Sequence, residues 1–346
     1  MSHRRRVGVV MGGWSGEHEV SLHTGTAVAN ALAERGHDVV RVVIPHAEPG
    51  GGARFDLVAT LRKARVDAAF LALHGRMGED GCVQGLLEIA RIPYTGSGVL
   101  ASALAMDKVK SKELFLLHNV PTPPYYVVPV SEAGRDAEAV HQSFGFPVIV
   151  KPRGEGSSLA LTKATSHAEL DRGLEAVFAI DDYALVERFI QGAEVTVGIL
   201  DGKALGALEI APAGGMYDYH AKYTPGRSQY FMPARLPAAR YQGVCNLAVR
   251  AAEALGCSGA ARVDLLVTPG ENEYVLEVNT LPGMTQTSLL PKIAAAAGYD
   301  FGALCEAILA SARVHTPQRT PQARPHATPM APAAAELGAR RLARSA

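Results

Sequence analysis

The chain has 346 residues and a formal charge of zero, with 34 basic side chains against 34 acidic ones. That balance excludes the broad electrostatic footprint of a nucleic-acid binder or of a protein held on an anionic membrane. No apolar run approaches the roughly 18 residues of a spanning helix, and the length allows about two or three domains.

The basic start, His3 to Arg6, leads into an apolar run that breaks at Gly12-Gly13-Trp14. That run is too short for the core of a secretory signal and reads as a first core strand. The cysteines Cys82, Cys245, Cys257 and Cys305 are scattered, with no CxxC pair and no histidine at metal spacing. They fit small buried apolar positions in a cytoplasmic protein with reduced thiols.

Short apolar runs at 7–10, 39–44 and 68–73 alternate with helical-length segments near Thr24–Arg35 and Phe55–Ala64. Continuous apolar strands separated by helices predict a parallel α/β unit. A second region opens near Gly96, with a helix over Asp107–His118 and a strand ending at Lys151-Pro152. From about Glu187 the pattern turns to strands joined by tight turns. Asp201-Gly202 between two apolar runs predicts a hairpin, a long helix follows over Ala238–Leu255, and a second hairpin carries Arg262 to Asn279. The resulting domains are 1–96, 97–186 and 187–312. Residues 313–346 hold five prolines, six arginines and one acid. They have too little to bury to offset chain entropy and are expected to be a disordered tail.

The second hairpin carries the strongest chemical signal. Residues two apart in a strand share a face, so Arg262 and Asp264 point one way, as do Glu277 and Asn279. Pairing the strands gathers three oxygen ligands and one guanidinium on one sheet face. Few, hard oxygen ligands suit Mg²⁺, which takes the rest of its shell from water and phosphate. Taken alone, the same residues fit a solvated charged sheet face equally well.

Other segments are individually weaker. Gly12-Gly13 through Glu17 and the run Leu73–Gly81 follow the first and third strands, at the edge of an α/β sheet where ligands bind. Each also fits a structural turn, and His74 a structural strand end. Lys151–Ser158 is a strand-to-loop segment rich in glycine and serine, suited to folding over phosphates or to a plain surface loop; it is not a GxxxxGK[ST] loop. Glu187 and Glu194 flank a turn between two lobes, where an adenosine lodges or a solvated hinge sits. Lys222 and Tyr223 lie in a polar segment close to Gly226.

Taken together and in order, nine blocks resemble the D-alanine–D-alanine ligase family of the ATP-grasp superfamily. They are Gly12–Ser21, Leu73–Gly81, Met106–Lys108, Lys151–Ser158, Glu194–Val197, Tyr217–Tyr223, Arg262 with Asp264, Glu277 with Asn279, and Pro282–Leu289. The likeness runs from about Arg6 to Ser311. It implies a three-domain ATP-grasp architecture, α/β and α+β, with an N-terminal parallel α/β domain. It also implies a cytoplasmic homodimer that uses ATP and two Mg²⁺, with Mn²⁺ able to substitute, to join two D-alanines for peptidoglycan synthesis. Carried over residue by residue, Lys108 and Lys151 hold the α- and β-phosphates, Lys222 the γ-phosphate, and Glu187 and Glu194 the adenine–ribose end. Asp264, Glu277 and Asn279 hold the metals. Glu17 binds the first D-alanine's ammonium and belongs to a closing group with Ser157 and Tyr223, while His74 lines the substrate crevice. Arg262 and the Gly283 N–H form the oxyanion hole, and Ser288 with the Leu289 backbone takes the second carboxylate. Leu159-Ala160 stands where the family usually has Val-Gly, and Met216 where an aromatic is common. A ligase forming the D-lactate ester is the rival enzyme, disfavoured by Tyr223. A catalytically dead nucleotide-binding regulator is the rival of another class, disfavoured because no metal ligand is missing.

Overall fold

The computed structural model describes residues 4–46, 55–156, 159–214, 224, 226–285 and 287–316. The chain divides into two units, residues 1–315 and 316–346, and all secondary structure among the described residues lies in the first.

The N-terminal runs form a parallel sheet of β1 (Arg6–Gly12), β2 (Asp38–Ile44) and β3 (Ala68–Leu71), in the order β2-β1-β3. The connections contain α1 (His18–Glu34) and α2 (Leu57–Ala64). β1 is central and apolar without alternation because both its faces are covered. Val7, Val9 and Met11 pack with Val28 and Leu32 of α1, while Val10 packs with Leu57, Leu61 and Leu87. α3 (Cys82–Ala90), α4 (Val99–Met106) and α5 (Lys108–Leu117) follow.

A four-stranded antiparallel sheet comes next, from β4 (Tyr125–Pro129), β5 (Val148–Pro152), β6 (Thr162–Ala164) and β7 (Tyr183–Arg188), in the order β4-β7-β5-β6. α6 (Ala137–His141) and α7 (His167–Phe178) belong to this region; Leu170, Leu174 and Val177 of α7 pack on Val148 and Val150. The third sheet is antiparallel and has five strands: β8 (Ala193–Leu200), β9 (Lys203–Pro212), β10 (Ser228–Phe231), β11 (Ala260–Val267) and β12 (Glu273–Asn279), ordered β10-β9-β8-β11-β12. The Asp201-Gly202 hairpin forms as expected, with φ of 45° and 74° at its two turn residues, the positive pair that a two-residue turn between twisted strands requires.

The long α8 (Ala238–Ala254) covers one face of that sheet through Val244, Ala248 and Ala251. Ala105, Phe115 and Val120 join the same core, so the helices after Gly96 pack on the five-stranded sheet. α9 (Leu289–Ala296) and α10 (Phe301–Ala310) return to the first sheet, where Leu290, Leu304 and Leu309 meet Val7 and Val9. This return brings α10 beside β1.

Two expectations need correction. Cys82 is exposed because it opens α3 with its N–H capped by Asp80 Oδ1 at 3.0 Å; the other cysteines are partly or fully buried. The expected tail begins too early at 313. Arg313 exchanges two backbone hydrogen bonds of 3.1 Å with Tyr94, and His315 N donates to Glu88 Oε1 at 2.7 Å. A polar, proline-flanked segment can dock through its backbone alone, which composition does not reveal. Residues 317–346 lie outside the described residues.

Candidate active site

The chemically loaded hairpin forms in the expected register: Arg262 is opposite Asn279, and Asp264 is opposite Glu277. On β11 the side chains alternate, with Val263, Leu265 and Val267 in the core and Arg262 and Asp264 on the half-open face. Arg262 grips Asp264 with both arms, Nε to Oδ1 and Nη2 to Oδ2, each at 2.9 Å. Thr196 of β8 also donates to Asp264 Oδ1 at 2.6 Å, and Asn279 Oδ1 accepts from Leu281 N at 3.1 Å.

Arg262, Glu277 and Asn279 line a cavity of about 450 Å³, whose walls include Glu17, His74, Lys108, Gly283 and Ser288, while Asp264 lines a second cavity. The N-terminal sheet supplies its side of the wall through the loops beyond β1 and β3. Gly12 has φ +89°, and a Cβ there would lie 2.3 Å from Ile44 O; only glycine lets the chain turn there toward Glu17. Ser15 Oγ donates to His74 O at 2.7 Å, and Thr24 Oγ1 lies 3.0 Å from His74 Nε2. Burial, assisted by Arg262 and opposed by Glu17, holds His74 below the usual imidazole range, so the ring is neutral at pH 7.

At the Gly283 end of this cavity, a Cβ on Gly283 would lie 2.8 Å from Ser288 Oγ. Ser288 Oγ accepts from Thr285 N at 3.0 Å and lies 2.8 Å from Thr285 Oγ1. Ser288 is also the residue before α9. The Leu289 N–H is therefore one of the helix-end donors suited to an anion.

A second cavity of about 100 Å³ is lined by Lys108, Lys151, Glu194, Leu161, Ile210 and Leu265. Lys108 and Glu277 line both cavities. Lys108 Nζ donates to Glu155 O, and Arg76 of the N-terminal region forms a 2.8 Å ion pair with Glu155. Glu155, in the loop after β5, is thereby held from two sides. Glu187 lines neither cavity. It is buried behind Lys151, 2.8 Å from its Nζ, and 2.7 Å from Lys112 Nζ on the other oxygen. Burial pushes its carboxyl upward, but the two ammonium groups outweigh that and hold it at about 2.

Ser157, Lys222, Tyr223 and Met216 lie outside the described residues. Ala160, noted for standing where the family usually has glycine, has φ +50°. That is the left-handed region in which a Cβ is disfavoured.

Three residues were not singled out by sequence reasoning. Lys112 sits on the buried stripe of α5 with Lys108, Val109 and Phe115; its spacing of four from Lys108 was the available signal. Lys292 lines the main cavity, donating to Thr287 O at 2.9 Å and lying 4.1 Å from the Tyr230 ring centre. Glu79 lines it too, with Oε2 accepting from Gly75 N at 2.9 Å and Oε1 buried without a hydrogen-bond partner among the described residues. Burial first, then Glu17, pushes its carboxyl up to about 8.

Among the described residues no group of three or more His, Cys, Asp or Glu side chains is placed to hold a metal. The set at hand is two carboxylates in direct register plus one amide oxygen, all hard donors. Its chemistry fits a cation that draws the remaining ligands from phosphate and water.

Comparison with known proteins decides the family. A profile of the D-ala D-ala ligase C-terminus matches residues 114–310, and one of the D-ala D-ala ligase N-terminus matches residues 51–97. The chain belongs to the D-alanine–D-alanine ligase family. The D-alanine–D-alanine ligase of Syntrophotalea carbinolica is 50% identical over 309 residues, 89% of this chain and 96% of that one. The Bacillus anthracis D-alanine–D-alanine ligase complexed with ATP superposes with a TM-score of 0.75 at 36% identity, over 89% of this chain and 97% of that one. The VanG D-Ala:D-Ser ligase of Enterococcus faecalis has a TM-score of 0.76 at 29% identity, over 89% and 99%. The fold is thus that of these ATP-grasp ligases, with a parallel N-terminal sheet ahead of two antiparallel ones.

Proposed function

We propose that this chain joins two D-alanine molecules, using ATP and releasing ADP and phosphate, to make D-alanyl-D-alanine for peptidoglycan precursors. The observation that carries the reading is the hairpin face of Arg262, Glu277 and Asn279, set against Glu17, His74 and Ser288 across one cavity, with Asp264 on the second cavity that shares Glu277 and Lys108 with it. The first D-alanine's carboxylate oxygen attacks the γ-phosphorus and ADP leaves; the second D-alanine's amine then attacks the acyl carbon and phosphate leaves.

Phosphoryl transfer depends on positioning and charge neutralisation more than on covalent help. Lys108, Lys151 and Lys222 supply positive charge along the phosphates, and Glu194 serves the nucleoside end. Glu187 acts there from behind Lys151. Asp264, Glu277 and Asn279 would hold two Mg²⁺, or Mn²⁺ in their place, which when bound neutralise the phosphate charge. Glu17 holds the first substrate's ammonium, and with Ser157 and Tyr223 closes the site. Arg262 and the Gly283 N–H face the oxyanion that develops at the acyl carbon. Ser288 and the Leu289 N–H take the second substrate's carboxylate.

The stretches 1–96, 97–186 and 187–312 serve as the three working parts, the second boundary falling near the end of β7. No single helix among the described residues is long and apolar enough to cross a membrane, and we place the enzyme in the cytoplasm. Leu86 and Ile89 of α3 and Val99 and Leu100 of α4 are exposed on contacting helices, an apolar face suited to a second copy of the chain; light scattering reads the mass. The activity is tested by ATP-dependent phosphate release with D-alanine alone, with L-alanine, and with D-alanine plus D-lactate or D-serine. Release with L-alanine equal to that with D-alanine would overturn the substrate; a mixed product dominating over D-alanyl-D-alanine would overturn the acceptor.

A further inference from the structure

We propose that Lys112 is a positioning residue for nucleotide binding: it keeps the Glu187 carboxylate paired when Lys151 turns from Glu187 to a phosphate. This rests on the ATP-using reading of the site.

The Glu187 carboxylate is almost fully buried and has two cationic neighbours. Lys151 Nζ meets Oε2 at 2.8 Å and Lys112 Nζ meets Oε1 at 2.7 Å. The two lysines differ in what else they can do. Lys151 lines the second cavity and is the one that a phosphate can draw away. Lys112 has no exposed side-chain surface, and its other donors are spoken for within the protein. It donates to Thr122 Oγ1 at 2.5 Å and to Pro123 O at 3.2 Å. Thr122 Oγ1 in turn donates to Val275 O at 2.9 Å, in β12, the strand that carries Glu277 and Asn279. Lys112 is therefore fixed, whereas Lys151 is exchangeable.

A buried carboxylate that loses its only cation is strongly destabilised, because nothing replaces the water it gave up. With Lys151 as sole partner, phosphate binding would strand Glu187, and the nucleotide would bear that cost. A second, immovable cation removes the conflict. The Lys112 contact to Oε1, at 2.7 Å, neutralises Glu187 from a fixed position. The ammonium itself is under strain: burial, offset by Glu187 and reinforced by Lys151, brings Lys112 down to about 8. A lysine placed there only for packing would be better replaced by an apolar side chain.

The test is a double-mutant cycle read by direct ADP binding in calorimetry, with thermal unfolding of each protein alongside. Lys112→Met is expected to weaken ADP binding by roughly tenfold in the parent, and by less than about twofold when Glu187→Gln is also present. The KM for ATP should follow ADP affinity, while the KM for D-alanine moves by less than about twofold. Should Lys112→Met not fold, Lys112→Gln removes the charge while keeping a donor for Thr122, and the same cycle is run with it. An equal loss of ADP affinity with and without Glu187→Gln, or no loss at all, would overturn the proposal, since Lys112 would then act by packing or not at all. ADP binding needs no ligation, so failure of the D-alanine assay in the parent would sink the substrate reading and leave this cycle interpretable.

Discussion

Arg262 and Asp264 bind each other within a single strand, guanidinium to carboxylate, through two bonds of 2.9 Å. The pair places the proposed oxyanion donor beside a proposed metal ligand, so each holds the other's geometry. Arg262→Met removes that oxyanion donor. We expect turnover to fall by roughly 10²–10³ with little loss of stability, because Thr196 still donates to Asp264. Near-parental turnover in a protein with unchanged melting would refute the role.

Gly283 is tested by Gly283→Ala. The added Cβ would lie 2.8 Å from Ser288 Oγ, so the hydroxyl must move and its bonds with Thr285 must yield. The expected outcome is a KM for the second D-alanine raised about tenfold, equivalent to about 1.4 kcal/mol, with ADP affinity unchanged. A variant whose D-alanine saturation curve overlays the parent's would show that Ser288 does not hold the acceptor.

Glu79 carries a pH signature. Its carboxyl is raised from the ordinary 4.5 to about 8, so between those values the unfolded chain has released a proton that the folded chain keeps. Stability from this group is therefore fullest below pH 4.5 and lost progressively as the pH rises to about 8. Glu79→Gln imitates the protonated acid and does not titrate. Its stability relative to the parent should increase by at least about 1 kcal/mol from pH 4.5 to pH 8, measured by denaturant unfolding. A constant difference across that range would mean that Glu79 is ionised in the folded protein.

The chain's end is tested by two truncations. Removing 317–346 should leave melting and activity as they are, since the segment has almost no large apolar side chain. Removing 313–346 also deletes two backbone bonds to Tyr94 and the His315 bond to Glu88. Each is worth about 1 kcal/mol, so melting should drop by several degrees. Equal melting of the two truncated proteins would show that Arg313 to His315 contribute nothing.

The parallel sheet, the Asp201-Gly202 hairpin and the Arg262–Asn279 hairpin are legible in the sequence by themselves. Their signals are local: a period of two, an uninterrupted apolar run, a turn dipeptide. The face shared by Arg262, Asp264, Glu277 and Asn279 follows from that period, because alternation sends every second side chain to the same side. The order of the nine blocks names the family for a related reason, since chemistry constrains residue types at fixed spacing wherever the chain lies. What the sequence cannot supply is distance between remote segments. That Lys112 meets Glu187, 75 positions later, depends on how α5 lies against β7. That burial, and after it Glu17, raises the Glu79 carboxyl depends on packing between remote segments, and desolvation is a property of the packed interior. That Arg313 pairs with Tyr94 depends on α9 and α10 bringing the chain back to the first sheet. Local pattern determined the elements and the chemistry they carry. Tertiary packing decided which charges are buried together, because burial and Coulomb energy depend on separation in space and not along the chain.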